Sequence, residues 1–285
     1  MTDPHGPRVV LPGTRWLLGV FSALTLLAFV SLFLMASRTD RYFAWTIAPS
    51  ATAAFVGAAY GAGCLLVVLS LRERWWSRVR VPFVTVLVFT VVTLAATLLH
   101  LDPFHFDAPG VIARGAAWFW VAVYVIVPLG MLLMLVAQER LPQVDPPGRM
   151  PLPRGLAAVL VVQGAVFLTV GAVLFADPGT ESALWPWQLT PLTARTVAAW
   201  LLAFGAGTVL ALLDRDLDRL ELAAVAYAVF GALEIAVLLL YADVVRWDSA
   251  ATYGYLALTA STVLSGAYAV RLTRAAGRTR ERAPT

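Results

Sequence analysis

The chain has 285 residues, of which 60% are hydrophobic and 13% charged, with a formal net charge of +4. A soluble domain carries about 25% charged residues, so this composition excludes a water-covered globule and calls for lipid over much of the surface. Every basic residue is an arginine, and the arginines stand in loops between apolar stretches, which excludes a basic nucleic-acid groove.

A helix needs about 20 mostly apolar residues to cross the hydrocarbon core. Eight segments qualify: Arg15–Ala36, Ser50–Leu71, Pro82–Leu101, Arg114–Ala137, Arg154–Ala176, Leu192–Leu213, Leu222–Tyr241 and Ala250–Arg271. The first is longer than the apolar core of a signal peptide, and Ser37-Arg38-Thr39-Asp40 is a poor cleavage site, so it reads as a retained helix. The second is rich in small residues, with Gly57 and Gly61 spaced for close backbone approach, and it holds the single cysteine, Cys64. One cysteine makes neither an intramolecular disulfide nor a thiolate metal cluster. Pro128 is expected to kink the fourth span. Gln138–Pro153, with five prolines, reads as a linker. The sixth span repeats the small-residue pattern of the second through Gly205 and Gly207.

The spans fall into two sets of four with shared landmarks. Trp45-Thr46-Ile47-Ala48-Pro49 returns as Trp187-Gln188-Leu189-Thr190-Pro191, and Asp102 and Asp107 return as Asp243 and Asp248. The expected fold is therefore all-α: a polytopic membrane protein of eight transmembrane helices, arranged as a tandem parallel repeat of two four-helix units. The divisions are an N-tail (1–14), a first repeat (15–137), a linker (138–153), a second repeat (154–271) and a basic C-tail (272–285) that meets anionic headgroups. The small faces of spans two and six are candidates for the bundle centre; packing within one half, or against another copy, is the alternative.

Arg38, Arg41, Arg114, Arg195 and Arg246 stand on one side of this topology and the remaining arginines on the other. That bias puts both termini in the cytoplasm, with the plasma membrane as the expected location. Trp16, Trp75 and Trp76 then form an inner interfacial belt, and Trp45, Trp118, Trp185, Trp187 and Trp247 an outer one, with Trp200 deep in a span. Trp-Pro-Trp at 185–187 reads either as anchoring or as a stacking platform.

Intramembrane charge is the strongest functional signal in such a chain. Glu234 lies in span seven, about 10 Å from its outer end at 1.5 Å per residue, where the first half has Thr93. It is a candidate proton carrier, cation ligand or salt-bridge partner, with Arg195 at a matching depth. Gln163 is a second interior polar residue, suited to interhelical hydrogen bonding. At the outer ends, His100, Asp102, His105 and Asp107 correspond in position to a second group containing Asp243 and Asp248. These residues read either as a divalent-metal cluster or, for the aspartates, as turn and N-cap chemistry. No phosphate loop, nucleophile elbow or zinc-protease motif is present, every loop is short, and no cofactor is implied.

Three functions fit: a small-molecule or ion transporter with a site between the repeats, a non-catalytic accessory or assembly subunit, and a redox or metal protein using the outer cluster. The expected partners are the lipid bilayer and a membrane protein or second copy, not nucleic acid.

Overall fold

The computed structural model describes residues 9–141 and 149–282, side chains of 277–282 excepted. Pro142, Pro146 and Pro147 of the linker lie outside the described residues, as does most of the N-tail.

The chain is all-α. Long helices are α1 (Pro12–Phe29), α2 (Ser50–Arg72), α3 (Trp76–Leu98), α4 (Val111–Glu139), α5 (Arg154–Ala176), α6 (Pro191–Asp214), α7 (Glu221–Leu240) and α8 (Ala250–Arg282). A π turn, Val30–Leu34, prolongs α1. Local chemistry sets several boundaries. Pro12 and Pro191 occupy first-turn positions, where a missing N–H costs nothing. Thr190 and Thr193 close a reciprocal cap on α6, each hydroxyl taking the other's backbone N–H. Helix α6 stops at Arg215 in the left-handed region (φ 49°), which frees the Arg215 carbonyl to accept from Leu152 N. Helix α4 continues through Pro128.

Among the described residues seven helical segments are long and apolar enough to cross a membrane, those of α1 through α7, and the protein is a multi-pass membrane protein on that basis. Helix α8, the eighth expected span, is not among them. It is a single long helix, but Thr252, Thr259, Ser261, Thr262 and Ser265 dilute its apolar content.

Packing joins the helices in two rows. One runs α1–α2–α7–α8; the other runs α5–α6–α3–α4. Each row therefore takes its first two helices from one half of the chain and its last two from the other. The rows touch only sparsely where α1 meets α4 and where α8 meets α5. Helices α2 and α6 are the most buried of the spans. Their small residues explain why: a methyl group on Gly57 would overlap the backbone of Leu32 and Phe33, and one on Gly61 the ring of Phe29. In lipid, such contacts carry association, because water no longer drives the helices together. Gly205 meets Leu168 of α5, whereas Gly207 meets Thr85 of α3. The small faces thus pack mainly within a half, and Gly207 adds a contact across.

The tryptophan belts need correction. Trp45, Trp76, Trp185 and Trp187 are each no more than 3% exposed and belong to the packed interior, whereas Trp16, Trp118 and Trp247 are exposed. The rings of Trp45, Phe43, Phe104 and Trp120 pack as one aromatic cluster. Trp185, Trp187, Phe55 and Tyr255 form another. Trp120, missed as an interior residue in the sequence, donates to Thr97 Oγ1 at 3.0 Å.

Candidate functional site

A cavity of about 570 Å³ lies between the rows, a size that suits a small ligand. It reaches both loose joints: Phe21 and Leu24 of α1 face it with Val123 and Tyr124 of α4, and Leu156 of α5 faces it with Ser265 of α8. Trp200 and Gly63 line its middle. No charged side chain lines it among the described residues.

Many of its polar groups are hydroxyls already in use, whereas the indole N–H of Trp200 has no partner. Thr25, Ser31, Thr90, Thr208 and Ser265 donate to backbone carbonyls three or four residues back on their own helices. Such hydroxyls present lone pairs to the cavity and no free proton. Tyr60 of α2 and Tyr124 of α4 hydrogen-bond each other through their hydroxyls. Two hydroxyls sharing one bond leave one proton uncommitted. Near the other joint, Tyr227 donates to Gln163 Oε1 at 3.3 Å, and Gln163 Nε2 donates to Ser265 Oγ at 3.2 Å and to Ser261 Oγ. Gln163 thus ties α5, α7 and α8 together, just behind the cavity wall.

Glu234 is fully buried and does not line the cavity. Its Oε2 accepts from the Tyr255 hydroxyl at 2.7 Å, while Oε1 has no hydrogen-bond partner. Arg195 is not its partner. The guanidinium donates through Nε to Phe175 O and through Nη1 to His100 Nε2, both at 2.9 Å, and lies over the Phe175 ring. Accepting at Nε2 puts the His100 proton on Nδ1, which is buried without a partner. Depth alone suggested the Glu234–Arg195 pair; the two side chains leave their helices toward different neighbours.

The outer histidines and aspartates do not assemble as a metal cluster. Among the described residues no three histidine, cysteine, aspartate or glutamate side chains converge as a metal site. His105 is spent on structure, with Nδ1 on Phe43 O and Nε2 on the Thr46 hydroxyl, both at 3.0 Å. Asp102, Asp107, Asp243 and Asp248 are all exposed. Nor do Asp107 and Asp248 cap helices: α4 begins after Gly110, and at α8 the acceptor for Ala251 N is Ser249 Oγ, at 3.2 Å.

At the arginine-rich end the structure adds a polar network. Gln138, assigned to the linker in the sequence, is the buried penultimate residue of α4. It accepts from Leu11 N and Thr14 Oγ1 and donates to Val9 O. Arg78 pairs with Asp218 at 2.6 Å and with Glu73 at 3.5 Å. Glu139 Oε1 takes both Trp76 Nε1 and Arg80 Nε at 2.9 Å. The clustered arginines are the one signal in the sequence that pointed here.

No protein-family model matches this chain, and no curated protein or solved structure matches it significantly.

Proposed function

We propose that this protein is a membrane carrier for an uncharged, predominantly apolar small molecule bound between the two rows of helices. The observation that carries the reading is the cavity, which is large enough for a ligand, free of charged lining and extended to two loosely packed joints. An ion or charged solute would have to shed its hydration there with nothing to compensate it. An apolar molecule dissolved in the bilayer enters sideways at the α1/α4 or α5/α8 joint without that cost. A solidly packed centre, the expectation for an accessory subunit, has less in its favour.

The parallel-repeat reading belongs to this proposal. Counting from the start of each half, joint α1/α2 answers to α5/α6, α2/α7 to α6/α3 and α7/α8 to α3/α4. Loop hydrogen bonds come in matching pairs: Val10 N to Arg74 O with Leu152 N to Arg215 O, and His105 N to Ala44 O with Arg246 N to Pro186 O. The His105 and Arg246 side chains reach the carbonyls of Phe43 and Trp185 in turn. In this reading α8 also crosses the membrane, the arginine-rich end and both termini face the cytoplasm, and the membrane is the plasma membrane.

Titration of the purified protein with N-phenylnaphthylamine, an uncharged probe that fluoresces in apolar sites, tests the proposal. Saturable binding is expected, with displacement by a neutral long-chain alcohol. Gly63→Phe, whose Cβ would meet only Trp200 within 4 Å and whose ring would occupy cavity space, should weaken binding by about tenfold, the value of a ring's worth of lost contact area. Binding unchanged in that variant counts against the central site.

A further inference from the structure

A different observation, independent of the cavity, concerns Glu234. The carboxyl is enclosed on every side. Within its own helix, Tyr227 lies two turns away and bonds Gln163 instead. From α8 the one titratable group facing it is Tyr255. Helix α2, packed against α7, presents Phe55, whose ring contacts both Phe230 and Tyr255. The segment before α6 presents Trp185 and Trp187, with ring centroids 5.3 Å and 5.7 Å from that of Tyr255. None of these is a cation, and Arg195 is committed elsewhere. An ionised carboxylate in this setting has one hydroxyl donor and no countercharge, so the site accommodates the neutral acid.

The layer above is latched. Trp187 donates to Thr52 Oγ1 at 2.9 Å. Arg246 donates through Nη2 to the carbonyls of Trp185 and Glu181 and lies 3.6 Å from Glu181 Oε2. Its backbone N–H takes Pro186 O at 2.8 Å. The guanidinium charge is thereby spent on the backbone of the segment that covers Tyr255, and Trp185 Nε1 beneath it has no partner.

We propose that Glu234 and Tyr255 form a proton-exchange site serving the end of the bundle that carries Trp45 and Trp187, with Trp185 and Trp187 as its lid and Arg246 as the latch. When the lid lifts, water reaches Oε1. The O–H bond breaks, the proton passes to water and the electron pair stays on the carboxylate, which the Tyr255 hydroxyl continues to hold. Re-protonation from the same face restores the closed site. The first half carries Thr93 at the matching position, so only one half exchanges a proton.

Infrared spectroscopy of the full-length protein in lipid vesicles tests this. A protonated-carboxyl C=O band is expected in the wild type and absent in the near-isosteric Glu234→Gln. On transfer to heavy water the band should shift slowly. In Arg246→Ala it should shift roughly tenfold faster, the factor carried by loss of one charged hydrogen bond, with Arg246→Lys in between. Tyr255→Phe should move the band's frequency without abolishing it, which also serves if Arg246→Ala fails to fold. Identical spectra for wild type and Glu234→Gln would overturn the protonated site. A shift rate that is the same in wild type, Arg246→Lys and Arg246→Ala would overturn the latch.

Discussion

The α2/α7 joint and the α6/α3 joint occupy matching places in the two rows, yet their polar groups are handled in opposite ways. At α2/α7 the indole N–H of Trp187 finds Thr52, and Glu234 finds Tyr255. The indole N–H of Trp45, packed against Trp120 of α4, and the hydroxyl of Thr93 on α3 are both buried without partners. The polar links at α2/α7 lie in the buried interior, whereas α6/α3 is linked toward its ends, by Arg195 to His100 and by Arg80 to Asp214. Two joints in matching places can thus set their polar links at different depths through a handful of side chains.

The largest expected effect tests the packing shared by both sides. Gly57→Leu forces a side chain into the backbone of the π turn and should destabilise the protein by about 3 kcal/mol or more. Gly115→Leu at the α1/α4 joint meets nothing within 4 Å and should cost under about 1 kcal/mol; thermal unfolding in detergent separates the two. Next, Arg246→Ala against His105→Ala compares the matched loop clamps. The charged clamp should be worth about 2 kcal/mol and the neutral one about 1, and equal losses would erase the distinction. Thr52→Val and Thr93→Val sharpen the contrast further. The first orphans a buried indole and should cost about 1–2 kcal/mol, whereas the second removes an unsatisfied hydroxyl and should be neutral or slightly stabilising. A clear gain is expected at one further position. Arg215→Gly relieves a left-handed residue at the end of α6 and should raise stability by about 1 kcal/mol.

Much of the framework was legible in the chain. Spans one to seven lie within a few residues of the helices observed, because an apolar run of membrane length is a one-dimensional property. The close packing at Gly57 and Gly61 was equally legible, since small residues leave few alternatives. Glu234 stood out correctly as a buried acid, but its partner did not. Tyr255 lies on another helix, and nothing in the residues between sets the rotation of α8 against α7. The same holds for Gln138, which read as linker because the N-terminal segment that fills its amide is more than a hundred positions away. The tryptophans misled for a general reason: an indole near a span end looks the same in sequence whether it meets headgroups or folds inward beneath a loop.

By itself, then, the sequence determined that this is a multi-pass membrane protein, where most of its helices begin and end, and which few polar residues lie inside. These follow from length, composition and local capping. Only the tertiary structure decided that each row mixes the two halves, that Arg195 turns to His100 and leaves Glu234 to Tyr255, that the outer histidines and aspartates stay apart, and that an uncharged cavity separates the rows. The spans are apolar nearly all round, so no stripe in the sequence says which face meets which neighbour. That choice is made by the fit of small residues, rings and single hydrogen bonds between helices far apart in the chain.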